Sequence, residues 1–222
     1  MIKNILAVGD SFTYGEELND RNLAWPSLLA NQLQASVTNL GQPASSNDKI
    51  LRKTIEVLIN PMNTIPDLVI IAWADTGRSE WADEVGTYDV WPGYGGKLFI
   101  RDGATWREDL LVYINKYHNS AWFHRKFLQQ VILLQNFLQN KNIKYVMLNT
   151  SQNEYYKRAF FDGKSWYTDQ IDQTYFLGFE KEGMAEWNYK LPQGPNGHFL
   201  EEGHQRVAEK INEHIRNLGW IS

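Results

Sequence analysis

The stretch AVGDSFTYGEE, residues 7–17, places Ser11 directly behind Gly9 and Asp10 at the end of a short apolar run. Two chemistries fit that placement: a hydroxyl nucleophile displayed at a strand end, or a turn serine bonded to its own backbone. Asp10 reads first as structural, its carboxylate accepting turn amides. A phosphate- or flavin-binding turn is a third reading, and it leaves a second block, NGHFLEEGH at residues 196–204, without a role. His204 in that block sits at the front of a helical pattern and reads as a packing or capping residue. His118, His124 and His214 lack ligand-like spacing and cysteine is absent, so neither a metal site, a cofactor nor a disulfide is expected. Trp81, Trp91, Trp106, Trp166 and Trp187 fall in aperiodic stretches. They read as loop packing or a subunit interface, with a platform for sugar rings as the sharper alternative.

The elements that must position these residues follow from apolar periodicity. NILAV reads as a buried strand. AWPSLLANQLQ is helical through Trp25, Leu28, Leu29 and Leu33, with Pro26 tolerable in its first turn. SVTNLG reads as a second strand, and SSNDKILRKTIEVLIN as a helix with Ser45 or Ser46 at its N-cap and Pro61 beyond its end. PDLVIIAW is almost wholly apolar, as a central parallel strand covered on both faces must be. A helix capped by Ser120 carries Phe123, Phe127, Val131, Leu134 and Leu138 on one stripe, IKYVMLNT gives a fourth parallel strand, and an amphipathic helix stopped by Gly219 closes the chain. The alternation implies a three-layer α/β/α sandwich around a mostly parallel sheet. Two irregular, aromatic-rich insertions, about 75–120 and 151–197, lie in a single domain spanning 1–222. Ligands bind such sheets outside the carboxyl ends of the strands, where Ser11 lies.

Composition narrows the class of function. The hydrophobic share of 43% and charged share of 22% belong to a globular chain, and 222 residues suffice for a sizeable core. A net charge of -4 with scattered basic residues argues against a nucleic-acid partner. The run Ile5 to Val8 is too short for a signal-peptide core or a membrane span, so the expectation is a protein without a leader or a membrane association, cytoplasmic or virion-associated.

GDSFTYG after the first strand, NLGQPASSN after the second, PDLVIIAW as the third and NGHFLEEGH before the last helix together resemble the SGNH hydrolase superfamily, the GDSL esterases and lipases. WADTGRSEW further resembles a variant of the third block in SGNH-like proteins of phages. The resemblance implies a flavodoxin-like fold and hydrolysis of a carboxylic ester, with an O-acetyl group on a carbohydrate as the candidate substrate. It also implies Ser11 as nucleophile and His198 as general base. A serine hydroxyl becomes reactive once an imidazole accepts its proton, and the same imidazole can return that proton to the leaving alkoxide.

The sequence departs from the family pattern at three places. The oxyanion glycine of the second block aligns on Ala44, whose amide can still serve beside that of Ser11 provided Ala44 needs no positive φ. The oxyanion asparagine of the third block falls near Thr76, with Arg78 as an alternative cation at the site and Asp10 and Trp73 as further candidates for substrate contact. The aspartate that precedes the histidine is replaced by Pro195 and Asn196. His198 would then be oriented by a backbone carbonyl, by the amide oxygen of Asn196, or by a remote carboxylate such as Asp169 or Asp172. The alternative to a serine esterase is a non-catalytic SGNH-fold protein, glycan-binding or structural, for instance a virion component.

Overall fold

The structure is a computed structural model that describes residues 1–82, 84, 86–90, 116–151 and 161–221. Trp91 and Trp106, and most of the first insertion, lie outside the described residues. Five strands, β1 (Asn4–Val8), β2 (Ser36–Asn39), β3 (Leu68–Trp73), β6 (Lys144–Asn149) and β7 (Phe176–Leu177), form one sheet in the order β2-β1-β3-β6-β7. Every pairing in it is parallel, with Ile5 opposite both Val37 and Leu68, Ile70 opposite Val146 and Leu148 opposite Leu177. The order reverses direction at β1: the chain steps outward to β2 and then crosses back to β3. That reversal opens a crevice at the carboxyl ends of β1 and β3.

Alternation along the strands divides the core in two. Leu6, Val8, Val69, Ile71 and Met147 face α3 (Asn47–Ile59) and α4 (Ser120–Asn140), where Ile50, Leu58, Phe127, Val131, Leu134 and Leu138 are buried. Ile5, Ala7, Leu68, Ile70 and Val146 face α2 (Trp25–Leu33) and α7 (Glu201–Asn217), with Trp25, Leu29, Val207, Ile211 and Ile215. Helices on both faces explain why β3 is buried at all six positions and why its sequence shows no polar alternation. Each fully buried aliphatic side chain contributes about 1.5–3 kcal/mol of transfer free energy, so the two apolar layers supply the main driving force.

Three local features differ from the sequence reading. The N-cap of α4 is Asn119, whose side chain accepts from the Trp122 amide at 2.9 Å; Ser120 is the first helical residue. Phe176–Leu177 adds a fifth strand too short to show periodicity. Within the first insertion, β4 (Ser79–Ala82) and β5 (Thr87–Val90) pair as an antiparallel hairpin, with Glu80 opposite Asp89. His204, in contrast, does cap a helix: buried in α7, it accepts the Trp25 amide on Nδ1 at 3.2 Å and so satisfies the start of α2, which lacks a side-chain cap at Ala24.

Candidate active site

Ser11 opens a single helical turn, α1 (Ser11–Tyr14), at the end of β1. Asp10 is its N-cap, accepting from the Phe12 amide at 3.1 Å. Gly15 closes it in the left-handed conformation, φ +83°, with its amide on the Ser11 carbonyl. Left-handed backbone recurs two residues later at Glu17, φ +69°, where a residue with a Cβ is strained. Together these two residues turn the chain back on itself, so that the Glu17 carboxylate returns toward the strand end from which the turn departed.

His198, which precedes α7, meets that turn. Its Nε2 lies 2.9 Å from Ser11 Oγ and its Nδ1 lies 2.8 Å from Glu17 Oε2. A carboxylate only accepts, so Nδ1 carries the proton and Nε2 presents its lone pair to the serine hydroxyl. The His198 amide adds a second bond to Glu17 Oε2 at 3.1 Å. Glu17 Oε1 takes the amide of Asn196 at 2.9 Å and its side-chain Nδ2 at 3.2 Å. Burial pushes the Glu17 carboxyl up, but the hydrogen bonds from Asn196 and His198 outweigh it and hold the group below the usual carboxylate range. The Phe12 ring packs against the imidazole at 4.7 Å between centroids, and Glu16 places a second carboxylate oxygen 3.7 Å from Nε2.

The orienting carboxylate is therefore Glu17, six residues after Ser11, and not a residue of the last block. Asn196, one of the three orienting groups considered, does not accept from the ring; it donates twice to Glu17 because a carboxylate between them offers only acceptors. Asp172 is engaged elsewhere, accepting from the Thr174 amide at the cap of a turn, and Asp169 ends the short helix α5 (Lys164–Thr168).

The second loop is tied to the same edge. Gln42 donates its amide to the Gly9 carbonyl at 3.1 Å, and Asn39 Nδ2 donates to the Thr13 carbonyl at 2.8 Å. Gly41 packs so closely that a Cβ there would lie 2.5 Å from the Tyr14 nitrogen. The condition set for Ala44 is not met: it stands in the left-handed region, φ +65°, at a cost of about 1–2 kcal/mol for a non-glycine residue, with its amide still present as a donor. The amides of Ser11 and Ala44 donate to no acceptor among the described residues. Arg78 Nη1 bridges the neighbours of both, donating to Asp10 Oδ2 at 3.1 Å and to the Ser45 carbonyl at 3.3 Å.

Two residues considered for substrate contact are inaccessible. Trp73 is wholly buried at the end of β3, edge-on to Phe127, because its position in an apolar strand points it into the core. Asp10 is also wholly buried and takes Thr150 Oγ1 at 3.2 Å in addition to Phe12 and Arg78. Burial raises its carboxyl pKa despite the opposing charge of Arg78. Thr76 is buried in the turn after β3. Among the described residues no cluster could hold a metal ion, and no helix is long and apolar enough to cross a membrane. Trp187 is a core residue beneath Lys210, whereas Trp81 and Trp166 are exposed.

The sequence matches a family of unknown function, DUF6071, over residues 13–222. The chain belongs to that family. No curated protein sequence matches this DUF6071 chain. Its fold is that of the GDSL/SGNH hydrolases, as three solved structures illustrate. A carbohydrate esterase family 2 enzyme of Corynascus thermopiles is 15% identical, with a TM-score of 0.57 over 98% of this chain and 67% of that one. The psychrotrophic esterase EstA of a Pseudoalteromonas species, a structure inhibited by monoethylphosphonate, is 14% identical, with a TM-score of 0.55 over 97% and 98%. A member of the lipolytic G-D-S-L family from Veillonella parvula is 12% identical, with a TM-score of 0.52 over 95% and 97%. At these identities the likeness of the DUF6071 chain to them is one of fold.

Proposed function

We propose that the protein is a serine hydrolase of carboxylic esters. The observation that carries this reading is the continuous chain Glu17–His198–Ser11, with hydrogen bonds of 2.8 and 2.9 Å on the two ring nitrogens. In this mechanism Ser11 Oγ attacks the ester carbonyl while its proton passes to His198 Nε2, and the Glu17 carboxylate stabilises the imidazolium. The carbonyl oxygen becomes an oxyanion facing the amides of Ser11 and Ala44, with Arg78 holding the two turns in register. His198 then protonates the leaving alkoxide, leaving an acyl group on Ser11. Water, deprotonated by the same imidazole, attacks that acyl group and releases the acid. Each oriented amide donor in such a site contributes about 2.7–4 kcal/mol to the transition state.

An O-acetyl group on a carbohydrate is the substrate we favour, in keeping with a fold shared with a family 2 carbohydrate esterase. The competing reading, a glycan-binding or structural protein without catalysis, drew its force from the missing aspartate of the last block and the missing asparagine of the third; Glu17, bonded to His198 Nδ1, speaks against the first of these motives. Purified protein is expected to hydrolyse p-nitrophenyl acetate and to be labelled at Ser11 by a fluorophosphonate probe. Ser11→Ala abolishes both; hydrolysis that survives in Ser11→Ala refutes the nucleophile assignment.

A further inference from the structure

The left-handed conformation of Ala44 persists only if its surroundings fix it, because a residue with a Cβ relaxes out of that region when it is free to do so. The three residues after it are each held from outside their own loop. The Ser45 carbonyl accepts from Arg78, the Ser46 amide donates to Asp89 Oδ1 at 2.9 Å, and the Asn47 side chain pairs with both backbone groups of Ala74, at 2.8 and 3.1 Å. Asp89 is the contact farthest from the crevice in sequence. It lies on β5, is 3% exposed, and its other oxygen takes Lys49 Nζ at 2.7 Å from the first turn of α3. Glu80, on the facing strand, bonds α3: its amide donates to Asp48 Oδ2 at 3.0 Å, and its carboxylate takes Arg52 Nε at 2.8 Å. Asp89 differs from Glu80 in reaching the turn itself.

We infer that Asp89 is a positioning residue for the esterase reaction, holding the Ser46 amide so that the Ala44 amide stays aimed at the oxyanion. The inference rests on the proposed esterase function. A buried ion pair is weak evidence of a stabilising role, since replacing both partners by apolar residues of similar volume is often neutral or stabilising. A purely structural Lys49–Asp89 pair would accordingly be dispensable, and a positioning pair would not.

The test compares Lys49→Met/Asp89→Leu, which fills the space but leaves the Ser46 amide without its acceptor, with Lys49→Gln/Asp89→Asn, which keeps an oxygen for that amide. For the apolar pair kcat on p-nitrophenyl acetate is expected to fall about 10- to 100-fold, less than for outright loss of an oxyanion donor, with KM within about threefold. The amide pair recovers most of that loss. In parallel, hydrogen exchange at the Ser45 and Ser46 amides, which are bonded to the Gln42 carbonyl and to Asp89, quickens in the apolar pair and not in the amide pair, a readout that needs no activity. Should the apolar pair fail to fold, Lys49→Met/Asp89→Ala removes the same acceptor with a smaller side chain. A folded variant without the acceptor whose kcat and exchange both match wild type overturns the inference. Absence of Ser11 labelling in the wild type instead overturns the esterase reading, and the exchange result then still decides whether Asp89 holds the turn.

Discussion

Glu17→Gln alters one atom of the carboxylate and should nearly silence the proposed esterase activity. Four donors converge on Glu17: His198 Nδ1 and the His198 amide on Oε2, and the amide and Nδ2 of Asn196 on Oε1. A glutamine offers one oxygen and one NH2, so two of the four donors must face another donor. With the oxygen toward His198, the ring keeps its tautomer but the Asn196 amide loses its acceptor, and the loop before His198 loses its anchor. With the NH2 toward His198, Nδ1 has to accept, the proton moves to Nε2, and the ring can no longer take the Ser11 proton. Loss of the anionic charge weakens the imidazolium in either arrangement. An Asp to Asn change at the equivalent place in a serine protease costs about 10⁴ in turnover. The arrangement with the glutamine oxygen toward His198 leaves a path to partial function here, so a loss of about 10³–10⁴ in kcat is expected, some 4–5.5 kcal/mol at 1.36 kcal/mol per decade. The assay is steady-state hydrolysis of p-nitrophenyl acetate, with thermal unfolding to show that the fold is intact. A variant that folds normally and keeps kcat within about tenfold would refute the role given to Glu17.

Two further outcomes test the surroundings of the site. Gly194→Ala places a Cβ 2.6 Å from Glu17 Cδ and 2.8 Å from both of its oxygens; the carboxylate moves aside only by loosening its bonds to His198 and Asn196, so kcat is expected to fall about 10- to 100-fold, with a smaller effect on unfolding because the two apolar layers are untouched. His204 is held neutral by burial, its pKa depressed to about 3. The unfolded chain binds a proton there near pH 6.5 and the folded one does not, so stability is present above pH 6.5 and is lost as the pH falls from that value toward 3. Near pH 4.5 the cost from this group alone is about 2–3 kcal/mol. His124, also buried and depressed to about 4, adds to the same slope. Unfolding midpoints followed from pH 7 to 4 should drop steadily, and a flat profile would refute the assignment.

Where the sequence carried the fold, it did so through covered strands. NILAV, LVIIAW and KYVMLN must be apolar on both faces because helices pack on each side, and their continuity marks them without further context. Phe176–Leu177 has no such mark: two residues carry no period, and only pairing with Met147 and Leu148 makes them a strand. The hairpin Ser79–Val90 is short and lies in aperiodic surroundings, and it packs through charges, Glu80 and Asp89 against Arg52 and Lys49, a pattern that reads as a solvated loop. Glu17 was hidden for a conformational reason. Its reach to His198 depends on left-handed backbone at Gly15 and at Glu17 itself, and a glutamate does not announce a positive φ. The signal that was present is YGEE, a glycine and two carboxylates within one turn of the serine.

Moving the orienting carboxylate from the histidine's loop to the serine's changes what holds the site together. Where the acid precedes the histidine, acid and base travel as one unit and only the serine must be met. Here serine and acid ride on one turn, fixed at one end by β1 and at the other by the left-handed pair Gly15 and Glu17. His198 is then a separate part that docks between two partners spaced by that turn. Its backbone amide and that of Asn196 bind the same carboxylate as its ring, so the contact that orients the imidazole is also the contact that seats the loop. Orientation and docking are therefore coupled through one carboxylate. For that reason changes at Glu17 or Gly194 are expected to act on turnover well before they act on stability, which rests on the two apolar layers flanking the sheet.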